Sequence, residues 1–301
     1  MPALIVDQIS KTFGTTRAVD NLSFEVKTGE IFAMLGPNGA GKTTTIRIVL
    51  DILRPDHGHI RLFGQPISQP IKDRIGYLPE ERGLYREITV IDCLTYLATL
   101  KGVDGKHARA RATDLLARVD LQDAMTKKVS ALSRGMQQKA QFIATILHDP
   151  DLVIIDEPFS GLDPVNTLLI KELIYEIREQ GKTIIMSTHM MHQVQEMADR
   201  MLMVNRGRSV LYGRVDDIRR QYASHAVYVN GSGQWADLSG VASVAYDRDR
   251  RADLVELNPG VSADDFLRAA AGRPDFHINR FEVALPSLDE IFIDVVGGRR
   301  S

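Results

Sequence analysis

The stretch Ile31–Thr44, IFAMLGPNGAGKTT, decides how this chain is read. Its first five residues, Ile31–Leu35, are apolar and have the length of a buried strand. A glycine-rich turn follows through Gly36, Pro37, Asn38, Gly39, Ala40 and Gly41, and a helical pattern then runs from Lys42 through about Leu50. A strand, a G-x-x-x-x-G-K-T turn and a helix, in that order, form the pattern of a phosphate-binding loop. Its glycines let successive backbone N–H groups turn inward around a phosphate, and the helix N-terminus adds the positive end of its dipole. Lys42 brings a charge to the β- and γ-phosphates, Thr43 offers a hydroxyl to Mg²⁺, and Thr44 continues the cradle. The plainer reading is a glycine-rich turn beside a surface lysine, and the flanking strand and helix argue against it.

Outward from this loop, the first 213 residues or so alternate short apolar strands with helical patterns, as in an α/β sheet with helices on its faces. Strand Leu152–Ile155 runs straight into Asp156-Glu157-Pro158. A strand ending in two carboxylates delivers them to the C-terminal edge of a sheet, where α/β folds bind ligands. Asp156 is placed to hold a magnesium shell, and Glu157 to take a proton from an attacking water or to orient it. Two acids after a strand also serve as simple loop solvation, but their company with Lys42 favours the catalytic role. A helical pattern from about Val165 to Gln180 places Leu169, Leu173 and Ile177 on one face, and strand Thr183–Ser187 follows. Between about Thr89 and His148 helical patterns succeed one another without strands (Val90–Lys101, Lys106–Val119, Met136–Leu147), which reads as a helical subdomain inserted in the sheet domain.

After Gly213 the texture changes. Strand-like pieces at Ala226–Asn230, Val241–Tyr246, Leu254–Leu257 and His277–Ala284 surround a helical pattern at Ala263–Ala271, and the cluster Asn230-Gly231-Ser232-Gly233 reads as a turn. A last helical pattern covers Leu288–Val295. Residues 214–301 are thus expected to form a small C-terminal α/β domain. The bulk composition, 44% hydrophobic and 25% charged, supplies ample core for such a two-domain chain. A net charge of −2 gives no reason to expect a nucleic-acid partner. The single cysteine, Cys93, excludes an internal disulfide, suits a cytoplasmic setting and reads as an apolar packing residue. The first ten residues lack the pattern of a signal peptide, and no apolar run approaches the ~20 residues of a membrane-spanning helix.

A third motif narrows the reading. Leu132-Ser133-Arg134-Gly135-Met136-Gln137-Gln138 precedes a helical pattern just upstream of the Asp-Glu strand, and it resembles the signature of ABC-type ATPases. Other landmarks of that family follow in order: Ser160-Gly161-Leu162-Asp163 looks like its D-loop, and Ser187-Thr188-His189 like its switch histidine. Phe13, in Lys11-Thr12-Phe13-Gly14, matches the aromatic residue on which the family stacks adenine, although an aromatic near a strand end is often core. The resemblance covers residues 3 to 213 and implies a P-loop NTPase of the ABC type. It implies ATP and Mg²⁺ as ligands, His189 as a γ-phosphate contact, and head-to-tail pairing with a second ATPase subunit. In such a pair Ser133 and Gly135 face the ATP of the partner subunit. An ordinary helix cap is the plain role for Ser133, and the two are compatible.

Two departures stand out. Arg134 and Met136 replace the glycine and glutamine of the usual signature. Glu80, in Gly76-Tyr77-Leu78-Pro79-Glu80-Glu81-Arg82-Gly83, replaces a glutamine that touches the metal and faces the membrane partner, so Glu80 is expected either at the metal or toward that partner. The Glu80 and Arg134 variants, with Pro286-Ser287-Leu288-Asp289-Glu290-Ile291-Phe292 and Val295-Val296-Gly297-Gly298 near the end, are similar to an exporter branch that includes sodium-efflux and daunorubicin-type resistance ATPases. That similarity implies an ATP-hydrolysing subunit that drives export through a separate integral-membrane permease, peripheral on the inner face of the cell membrane. The rival is an ABC ATPase acting on ribosomes or DNA. Against it stand the single phosphate-binding loop and the absence of sustained heptads.

Overall fold

The computed structural model describes residues 1–297 apart from Arg82, Ser224 and Asp249. By contact the chain divides into two units, Met1–Val215 and Asp216–Ser301. In chain order the first unit contains β1 (Pro2–Phe13), β2 (Thr16–Lys27), β3 (Ile31–Leu35), α1 (Lys42–Val49), β4 (His57–Leu62), α2 (Gln69–Asp73) and β5 (Ile75–Leu78). Helices α3 (Val90–Thr99), α4 (Gly105–Arg118) and α5 (Arg134–Ile146) follow. Then come β6 (Leu152–Asp156), α6 (Pro164–Glu179), β7 (Thr183–Thr188), α7 (Met191–Met197), β8 (Arg200–Asn205) and β9 (Arg208–Arg214). Helix α8 (Val215–Gln221) spans the boundary between the units.

A six-stranded sheet in the order β5-β6-β7-β3-β8-β9 carries the first unit. Its strands are parallel except for the β8–β9 hairpin. Every residue of β3, β6 and β7 is buried, which is why β3, Leu152–Ile155 and Ile184–Met186 read as apolar runs: a parallel sheet is covered on both faces. A second, antiparallel sheet, β2-β1-β4, was not anticipated from the sequence. In β2 the buried Leu22, Phe24 and Val26 alternate with exposed residues, the pattern of a half-covered sheet. Its inward face shares a core with β3 and α1, where the Phe24 and Phe32 rings stack 5.5 Å apart.

Four helices of the first unit start where the sequence caps them. Thr89, Asp104, Ser133 and Asp163 accept backbone N–H groups at the starts of α3, α4, α5 and α6, and Pro164 occupies the first turn of α6, where its missing N–H costs nothing. The buried face of α6 is Ile170, Leu173 and Ile174, whereas Leu169 and Ile177, expected at its centre, are only half-buried. The apolar stripe is broader than a strict four-residue spacing picks out. No helix among the described residues is long and apolar enough to cross a membrane.

The second unit contains β10 (Ala226–Ser232), β11 (Val241–Asp247), β12 (Ala252–Leu257), α9 (Ala263–Ala271), β13 (His277–Val283) and α10 (Leu288–Gly297). Its antiparallel sheet has the order β11-β12-β10-β13. One face packs Val227, Val229 and Val255 against Trp235, Phe266 and Phe276. The turn expected to begin at Asn230 lies later, because β10 stays paired with β13 as far as Ser232. A capping box between Ser262 and Asp265 starts α9.

Candidate functional site

Strands β6, β7 and β3 are consecutive in the sheet, with Asp156 beside Ser187 and Leu35 beside Thr188. The segments that follow them therefore emerge at one edge, around a cavity of about 430 Å³. Asn38–Thr44, Glu80, Asp156, Glu157 and His189 line it, and so do Ala18 and Ser160.

The loop from Gly36 to Gly41 has backbone requirements that only glycine meets. Gly39 has φ +78° and Gly41 φ +107°, in the left-handed region. A Cβ on Gly41 would lie 2.4 Å from the Ala18 carbonyl oxygen of β2. The loop is further braced where Gly207 N–H donates to the Ala40 carbonyl (2.9 Å) and Asp20 N–H donates to the Gly207 carbonyl (2.9 Å). Lys42 is buried, and its Nζ donates to the carbonyls of Gly36 (2.7 Å) and Pro37 (3.3 Å). Burial pushes the ammonium below the usual lysine range, opposed by the charges of Glu157, Asp156 and Glu80.

Asp156 is 1% exposed and fully engaged. Thr43 Oγ1 donates to its Oδ2 at 3.1 Å, and Ser187 Oγ donates to its Oδ1. Glu157 sits next to it with φ +51°, an uncommon conformation for a non-glycine residue, fixed by its N–H bond to the Ser187 carbonyl (3.0 Å). His189 Nδ1 donates to Glu157 Oε1 at 2.9 Å, and the one hydroxyl hydrogen of Thr188 is shared between Glu157 Oε2 at 3.4 Å and Gln193 Oε1 at 3.2 Å. Glu80 reaches the same cavity from the loop after β5. Tyr77, just before it, is pushed up to about 12 by burial and by the Asp156 charge.

Among the described residues, no group of three or more His, Cys, Asp or Glu side chains forms a metal cage. A Thr43 hydroxyl in contact with one carboxylate is instead the sparse oxygen set that suits Mg²⁺, which keeps waters and takes phosphate oxygens. The residues present fit that ion.

Other expected residues lie elsewhere. Phe13 is on the β1–β2 hairpin, 46% exposed, with Lys11 Nζ 5.8 Å from its ring centroid, so it is not a core aromatic. Ser133 and Gly135 open α5 outside the cavity, and Ser133 Oγ caps the helix by accepting Met136 N–H at 3.3 Å. Gly135 faces the start of α6: a Cβ there would be 3.7 Å from Asn166 in its first turn and 3.9 Å from Leu162 just before it. Arg82 and Gly298 lie outside the described residues. Cys93 is fully buried, and burial pushes its thiol up.

The sequence reading missed Ala18 as a wall and Ser187 and Gln193 as supports. Ser187 was visible beside His189 in the Ser-Thr-His run. Gln193, which is buried and accepts Thr188 Oγ1 at 3.2 Å, carried no motif.

Comparisons with known proteins follow the two units. Residues 19–160 match the family model "ABC transporter", and residues 213–296 match "ATP-binding protein DrrA1-3-like, C-terminal domain". The chain is 39% identical over 297 residues to an uncharacterized ABC transporter ATP-binding protein, YhaQ, of Bacillus subtilis, covering 98% of each chain. It is 29% identical to the daunorubicin resistance ATP-binding protein DrrA3 of Streptomyces coeruleorubidus, covering 99% of this chain and 97% of that one. Among solved structures it is similar to an ATP-binding subunit of an ABC transporter, with 32% identity, a TM-score of 0.69, and coverage of 73% of this chain and 93% of that one.

Proposed function

This chain belongs to the ABC transporter family of ATP-binding proteins, and from that premise we propose that it hydrolyses Mg·ATP to drive export through a separate membrane permease. The observation that carries the reading is the pairing of Thr43 with Asp156 and of Glu157 with His189 around the cavity that Lys42 lines.

Each side chain has a role that its surroundings explain. The loop N–H groups and Lys42 hold the β- and γ-phosphates. Thr43 and Asp156 would hold Mg²⁺, which when bound would offset phosphate charge and polarise the γ-phosphoryl group. Glu157 takes the proton of the attacking water or orients it, and His189 and Thr188 hold its carboxylate oxygens in place at the cavity. Phe13, exposed at the hairpin, offers its ring to adenine. Ser133 and Gly135 lie away from this cavity and serve the ATP of a second ATPase subunit, a copy of this chain or a relative. ATP binding closes that pair and hydrolysis reopens it, and the motion passes to the permease. The chain works on the cytoplasmic side of the membrane, with residues 1–215 as the nucleotide-binding domain and the second unit as an accessory domain. Export, rather than import, is supported by the drug-resistance relative and by the match of the second unit.

Lys42→Ala tests the reading. It removes the charge that holds the phosphates and should abolish hydrolysis at saturating ATP. Wild-type turnover by a folded variant would remove the loop from the chemistry.

A further inference from the structure

Glu80 reaches the nucleotide cavity from the segment between β5 and α3, which forms neither helix nor strand around residues 79–81. Something else must hold that segment. Gln141, on the side of α5, is 4% exposed, and its Nε2 donates to the carbonyls of Glu81 (3.0 Å) and Pro79 (3.4 Å). Both hydrogens of one side-chain amide are thus spent on the two carbonyls that bracket Glu80. An apolar side chain would fill the same space but leave both carbonyls without this donor, so the loop would lose its tie to α5.

Gln141 is also the middle member of three on the same side of the helix. One turn earlier, Gln137 Nε2 donates to the carbonyls of Leu132 (2.9 Å) and Val129 (3.3 Å), just before Ser133. One turn later, the Thr145 hydroxyl hydrogen is shared between the Gln141 carbonyl of the same helix at 3.0 Å and the Tyr77 carbonyl at 3.3 Å. The chain after Glu80 also lies along the chain before Ser133, since Ser130 N–H donates to the Arg86 carbonyl (2.9 Å) and Val129 N–H to the Ile88 carbonyl (3.1 Å).

We propose that Gln141 is the positioning residue for Glu80: it fixes the Glu80 carboxylate at the nucleotide cavity and ties it to the helix that begins at Ser133. The proposal rests on the reading of this cavity as the Mg·ATP site. Held there, the Glu80 charge adds to those of Asp156 and Glu157, weakens binding of metal-free ATP, and makes binding depend more steeply on magnesium. Glu80 is exposed where it lines the cavity, so, released from Gln141, its loop carries the carboxylate away from the phosphates and that dependence falls.

The test compares the affinity for ATPγS with magnesium and with EDTA, in the full chain. Glu80→Gln should lower the ratio of the two affinities about fivefold, chiefly by tightening binding in EDTA. Gln141→Met keeps the side-chain length without its donors, and should lower the ratio in the same direction by about two- to fivefold. Gln141→Asn, whose shorter amide cannot span both carbonyls, should act likewise and serves if the Met variant fails to fold. In the Glu80→Gln background neither substitution should change the ratio by more than about twofold, because the group being positioned is gone. An unchanged ratio in the Gln141 variants overturns the proposal, as does an equal drop with and without Glu80. If Glu80→Gln itself leaves the ratio unchanged, the proposal falls while the ATPase reading stands. Failure of the wild type to bind ATPγS under either condition would remove that reading as well.

Discussion

A single methyl group separates two glycines of the phosphate-binding loop. Gly41→Ala forces a β-carbon to within 2.4 Å of the Ala18 carbonyl oxygen, about 1 Å inside normal contact, and holds alanine at φ +107°. The backbone conformation costs ~1–2 kcal/mol, and the forced shift of the loop or of β2 costs ~1–3 kcal/mol more. A total of about 3 kcal/mol in a unit of this size lowers Tm by ~6–12 °C. Gly39→Ala is the control: φ is +78° there, but nothing lies within 4 Å of the added carbon. Only the conformational cost remains, ~1 kcal/mol or ~2–4 °C. Calorimetry of both variants without nucleotide, followed by ATP titration, reads the difference. Gly41→Ala should also bind ATP at least ~10-fold more weakly, since the N–H groups that cradle the phosphates move with the loop. Melting within ~2 °C of the Gly39 variant, with equal affinity, would refute the close-approach argument.

Two further outcomes follow from the same structure. Tyr77 is pushed up to about 12 from an ordinary value of 10.0, so its contribution to stability is complete below pH 10 and is lost as pH rises toward 12. Tyr77→Phe should flatten that fall in chemical denaturation series run between those values, and an identical slope in both proteins would contradict the burial argument. A chain ending at Val215 should keep ATP affinity within about threefold, because every nucleotide-site residue lies in the first compact unit. A folded truncation that no longer binds ATP would overturn that division.

The parts of the fold most visible in the sequence were those whose environment is uniform. Strands β3, β6 and β7 are buried at every position, so each reads as an apolar run ending in a chemically distinctive segment. The antiparallel β1, β2 and β4 were harder to read. The β1–β2 register is broken by several bulges, and β4 opens with His57-Gly58-His59, all exposed, so β1 and β4 keep no clean alternation and only the second half of β2, from Asn21 to Lys27, shows one. For the site, residues in contiguous motifs were legible: Lys42, Thr43, Asp156, Glu157 and His189 share one cavity wall or bond to one another. Residues that act from a distance in sequence were not. Ala18 comes from β2, and Gln141 reaches a loop some sixty positions away, a relation that only the packing of α5 creates.

The account turns on Glu157 as the group that activates water between paired subunits. Its carboxylate is held by His189 and Thr188 at the cavity edge, and an amide of the same shape can be held there but accepts no proton. Glu157→Gln, purified and incubated with Mg·ATP, should bind nucleotide normally and turn it over ~10²–10⁴-fold more slowly. On size-exclusion chromatography with light scattering it should run as a stable dimer that disperses when ATP is removed. Hydrolysis at the wild-type rate, or a variant that binds Mg·ATP and remains monomeric, would contradict the account.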